Sequence, residues 1–65
     1  MKATLAKMKA RIASKSDAVI VEAVELIGGS TVSTEAALVR ALLISEYEAR
    51  HGENAADALM DRIGL

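Results

Sequence analysis

Cysteine, proline, tryptophan and phenylalanine are all missing from this chain of 65 residues, which carries one tyrosine and one histidine. Each absence excludes something. Without cysteine there is no disulfide framework and no thiolate ligand or nucleophile. The lone His51 cannot complete a metal site, so no metal and no cofactor is expected. Without proline, long helices can run unbroken. No apolar run reaches the ~20 residues that span a bilayer, so no membrane partner is expected. With nothing in the composition asking for an oxidising compartment, the expected location is the cytoplasm. Hydrophobic residues still make up 52% of the chain, so its core must come from Ala, Leu, Ile, Val and Met, side chains suited to closely approaching helices.

The length allows one domain, residues 1–65. A chain of this size buries only about 60% of the surface its unfolded form exposes, and small domains usually add a disulfide, a metal or a second subunit. The first two are excluded by composition. Self-association, as a homodimer, is the expectation that remains.

The net charge of −1 says little, but its distribution says more. Residues 1–15 hold Lys2, Lys7, Lys9, Arg11 and Lys15 and no acid. Residues 16–65 hold all nine carboxylates and only Arg40, Arg50 and Arg62. The chain therefore divides into a basic arm, 1–15, and a helical core, 16–65. Such segregation points the arm toward an anionic surface. Residues 1–16 also have the basic, acid-free composition of a targeting peptide, but the expectation is a retained, ordered segment.

Helical signals dominate the core. Over 33–51, Ser33 or Thr34 can cap, Glu35 suits the positive end of the helix dipole, and Leu38, Val39, Leu42 and Leu43 repeat at helical spacing. Arg50 and His51 fall in the last turn, and Gly52 is a natural stop. Ala37, Ala41, Ser45 and Ala49 form a second stripe of small residues, read as a packing seam. Over 14–27, Ser14 to Asp17 resembles a capping box, Ile20, Val24 and Ile27 build an inward stripe, and Gly28-Gly29 ends the run. A third helix is predicted over 54–63, capped by Asn54.

Residues 6–12 read two ways. At period two, Lys7, Lys9 and Arg11 alternate with Met8, Ala10 and Ile12, as in a strand. At period 3.6, Leu5, Met8 and Ile12 make an equally good helical stripe, and propensity favours it because Ala, Lys and Met are poor strand formers.

With a strand at 6–12, the order becomes basic strand, helix, glycine turn, helix. Arg11-Ile12, then Ile20, Ala23, Val24 and Ile27, then Gly28, Thr31 to Glu35 and Leu38-Val39-Arg40 resemble the ribbon-helix-helix DNA-binding family over residues 6–51. The resemblance implies a mostly α homodimer whose paired strands enter the major groove of double-stranded DNA. Lys7, Lys9 and Arg11 would then face base edges, Ser33 and Thr34 would hold phosphates, and Lys2 and Lys15 would add general attraction. Met8, Ile12, Ile20, Val24, Ile27, Leu38, Val39, Leu42 and Leu43 would form the core and the dimer contact. The function implied is that of a repressor or a site-marking accessory factor.

With residues 2–27 helical instead, the chain is an all-helical bundle that dimerises and binds a protein partner, as an adaptor or inhibitor. Neither reading makes it an enzyme. The paired acids, Glu46 with Glu48 and Asp57 with Asp61, read as solvated helix positions, and Gly28-Gly29-Ser30-Thr31 lacks the spacing and lysine of a phosphate loop.

Overall fold

A computed structural model describes residues 2–29 and 33–65, with side chains from Thr4 onward. It contains four helices: α1 (Lys2–Ala13), α2 (Asp17–Ile27), α3 (Thr34–His51) and α4 (Glu53–Ile63). No strand occurs among the described residues.

The predicted strand over 6–12, and with it the ribbon-helix-helix fold, is thereby overturned. The physical reason lies in the residues. Ala6, Lys7, Met8, Lys9, Ala10 and Arg11 are all good helix formers, and among them no β-branched side chain favours an extended backbone. Helix also keeps Leu5, Met8 and Ile12 on one face. Ile12 is buried there, joining Ile20, Val24, Leu43 and Leu59 in one hydrophobic cluster. The architecture matches the all-helical reading, with the run 2–27 formed as two helices joined by a turn at Ser14 to Ser16.

Local chemistry sets the helix ends. Ser16 caps α2 by accepting from the Val19 N–H at 3.3 Å, and Ser33 caps α3 by accepting from the Ala36 N–H at 3.2 Å. Gly28 ends α2 at φ 75° and ψ −174°, a conformation adopted essentially by glycine alone and costing any other residue ~1–3 kcal/mol. Gly52 separates α3 from α4 at φ 95° and stands at the N-cap of α4, where no side chain caps. Asn54, the cap predicted by sequence, falls inside α4.

The α3 helix is the spine, and each of the others packs against it. Arg50 of α3 reaches Asp17 at the start of α2, and Arg40 of α3 reaches the Gly28 carbonyl at its end, so α2 runs antiparallel to α3. The first turns of α1 and α3 share a groove, while Arg50 reaches the last carbonyls of α1. Hence α1 and α3 point the same way. The single-residue turn at Gly52 folds α4 back along α3, where Ala56 and Leu59 are buried. The far end of α4 meets the end of α2 so closely that a Cβ on Gly29 would strike the Ile63 carbonyl.

Candidate interaction surface

The residues expected to meet DNA do not form a row. Lys7, Lys9 and Arg11 are exposed on α1. At 100° per residue, Lys7 and Arg11 share one flank of α1, whereas Lys9 lies about 160° around the helix from Lys7. An extended ribbon would have aimed all three in one direction. Lys15 is exposed in the turn after α1. The side chain of Lys2 lies outside the described residues, as do Thr31 and Val32 of the family resemblance. The hydroxyl of Ser33 is engaged in capping α3, and Thr34 is exposed in its first turn. The row of side chains that a major-groove ribbon required is therefore absent among the described residues, and the DNA-binding reading loses the ribbon it rested on.

The nine residues assigned to core and dimer contact spread across a gradient of burial. Ile12, Ile20, Val24 and Leu43 are buried; Ile27, Val39 and Leu42 are half-buried against them. Met8 is half-buried, and Leu38 remains 44% exposed.

The surface of α3 explains that gradient. Its Leu43 side points into the core cluster. Ala37, Arg40, Ala41, Ile44, Ser45 and Glu48 border a groove of about 380 Å³ shared with Met60 of α4 and with Leu65. Glu35, Leu38 and Val39 border a second groove, of about 320 Å³, shared with Thr4, Leu5 and Met8 of α1. Thr34, Leu38, Ala41, Ser45 and Ala49 share a fourth side, within an arc of about 80°; Leu38 also lines the second groove, Ala41 and Ser45 line the first, and Glu48 of the first groove borders the strip. All five are exposed, and none carries a charge. The stripe of small residues seen in the sequence is this ridge. Only Ala37, at its edge, is half-buried within the chain.

A polar cluster holds the other end of the molecule. The Arg50 guanidinium donates to Asp17 at 2.9 Å, to Glu46 at 2.8 Å, and to the carbonyls of Ile12 and Ala13 at 3.3 and 3.0 Å. His51 Nε2 lies 2.8 Å from the second Asp17 oxygen, with its ring tilted against that of Tyr47. The hydrogen bond from Arg50, helped by His51, holds the Asp17 carboxyl below the usual carboxylate range despite its partial desolvation. The same bond raises Arg50 above its ordinary value. Sequence reasoning assigned Arg50 and His51 only to the helix dipole. Glu46 is one turn back on the same helix, but Asp17, Ile12 and Ala13 stand more than thirty positions away in the chain, and the packing of α1 and α2 on α3 brings them within reach.

This cluster is structural chemistry: every charge in it has a partner, and none is aimed into a cavity. Among the described residues no three metal-ligating side chains gather, no buried polar side chain lacks a partner, and no helix is long and apolar enough to cross a membrane. Comparison with family models, curated proteins and solved structures found no match.

Proposed function

We propose that this chain works by binding, as an all-helical protein-interaction module of the cytoplasm that associates with itself as a bundle. One observation carries the reading. The central helix is covered on three sides, and its fourth, an exposed strip of small and apolar residues bordered by Glu48, runs into two grooves with apolar residues in their walls. Surfaces of this kind on small proteins mark contact sites. The thin core supports the same conclusion, since among the described residues only Ile12, Ile20, Val24, Leu43, Ala56 and Leu59 are buried.

A second surface favours a further protein partner, with the module acting as adaptor or inhibitor. Val19 and Leu26 stand seven positions apart on the outside of α2, and Leu26 is 81% exposed. They lie on a different helix from the α3 ridge and stay available when that ridge is covered.

Sedimentation velocity over a wide concentration range tests the proposal. The expected mass rises from 6.8 kDa toward twice that value, and the melting temperature climbs with protein concentration because only the folded chain associates. A particle that stays monomeric, with a melting temperature independent of concentration, would overturn it.

A further inference from the structure

We infer that α1 is exchanged between two copies, the α1 of each packing on the α3 of the other in the place it holds within a single chain. The turn between α1 and α2 straightens as this happens, and residues 2–27 become one helix. Such an exchange presupposes the self-association proposed above and names the element each copy lends its partner. The exposed strip on α3 lies outside the exchanged contact, so one can fail without the other.

The turn is built so that little has to change. It contains no glycine and no proline. The last turn of α1 continues into it in tight hydrogen bonds, with the Ser14 N–H donating to the Arg11 carbonyl at 3.2 Å and the Lys15 N–H to the Ile12 carbonyl at 3.0 Å. Among the described residues only glycines have a positive φ, so the whole turn already lies on the side of backbone space that a right-handed helix uses. The break is centred on Ser16. Its φ of −73° is close to helical, and its ψ of 161° is what diverts the chain.

Straightening leaves no polar group stranded. In a continuous helix the Ile12 and Ala13 carbonyls, held by Arg50 in the single chain, accept instead from the N–H groups of Ser16 and Asp17. Arg50 keeps its bonds to Asp17 and Glu46.

What α1 gives up on one copy it regains on the other. Its hold on α3 consists of Ile12 in the core cluster, the half-buried Met8, and the groove where Thr4, Leu5 and Met8 face Glu35, Leu38 and Val39. The same side chains meet after exchange, Glu35 included, so no new charge is set against α1 there. The directions agree as well. A straight helix over 2–27, about 39 Å long at 1.5 Å per residue, carries α1 past the end of its own α3 and pointing against it. A twofold axis across that helix reverses the partner's α3, so α1 lies on it pointing the same way, as it does within one chain. Near the axis Lys15, Asp17 and Arg50 of both copies gather, both signs of charge together. Exchange of an identical element is a low-cost route to a dimer, because nearly every contact already exists.

Since the protein has no cysteine, two single-cysteine chains read the exchange directly. Met8 of α1 and Val39 of α3 line one groove. Unfolded together and refolded as a concentrated mixture, Met8→Cys and Val39→Cys chains are expected to link to each other under mild oxidation, and neither to itself. Ser16→Ala removes the cap that favours the break and puts a better helix former in its place. With two such turns per dimer, association should tighten roughly tenfold or more. Ser16→Pro suits the φ of −73° but cannot sit inside a helix, so it should hold the chain as a monomer. Far-UV circular dichroism checks that each variant keeps its helices.

A wild type that dimerises while the two cysteine chains fail to link, or while Ser16→Ala binds itself no more tightly, overturns the exchange and leaves the self-association standing. Should Ser16→Pro lose its helices, the cross-link and Ser16→Ala decide alone. A monomer at every concentration sinks both proposals.

Discussion

Arg50 joins three segments through one guanidinium, and its consequences can be measured residue by residue. It satisfies carbonyls left open at the end of α1, holds Asp17 at the start of α2, and pairs with Glu46 one turn back on its own helix. Because the Asp17 carboxyl is lowered in the folded state, it contributes stability above the unfolded value, about pH 4. That contribution fades as pH falls through the lower folded value. Asp17→Asn should therefore be less stable than wild type at neutral pH, with the two denaturation midpoints converging in acid. A difference that stays constant with pH would show that the charge on Asp17 is not what matters. Ser33 makes a simpler case. Its hydroxyl closes the first turn of α3, so Ser33→Ala should cost ~1 kcal/mol in urea unfolding. Ile20, fully buried in the cluster, should cost ~2–5 kcal/mol when cut to alanine.

At the level of elements, the tightest junction is where α2 ends against α4. The backbone at Gly29 lies so close to Ile63 and Gly64 that no side chain fits between them. Gly29→Ala should force the two ends apart and cost ~1–3 kcal/mol, read as a lower melting temperature with helicity retained below it. The end of α2 and the extent of α3 were legible in the sequence because Gly28, Ser33 and Gly52 act locally, through caps and backbone conformation, whereas the start of α2, expected at 14, falls at Asp17 behind the Ser16 cap. Residues 6–12 were not, because Lys7 to Ile12 satisfies periods of two and 3.6 equally well. Propensity pointed to helix, and the resemblance to a ribbon-helix-helix pattern pulled the other way. The small-residue stripe of α3 could be seen in the sequence as a seam. That it would face outward could not be, since this depends on which sides α1, α2 and α4 occupy. The pairing of Arg50 with Asp17 was equally hidden, being a product of the folded path.

For the whole molecule, the arrangement is a spine with three attachments of unequal strength. The α2 and α4 helices pack on α3 and also meet each other, through the Glu25–Arg62 pair and the Gly29 approach. Among its described side chains the α1 helix contributes a single buried one, Ile12, and it is held further by Met8 and the Arg50 contacts. Its amide hydrogens should consequently exchange with deuterated solvent well before those of Ile20, Val24 and Leu43, through detachments that leave the remaining helices folded. Equal protection along the chain would mean that α1 is bound as firmly as the rest. An arm released so readily gives the molecule a hinge at Ser14 to Ser16, and whatever grips α1 from outside would draw its free energy of ordering from that weakest joint.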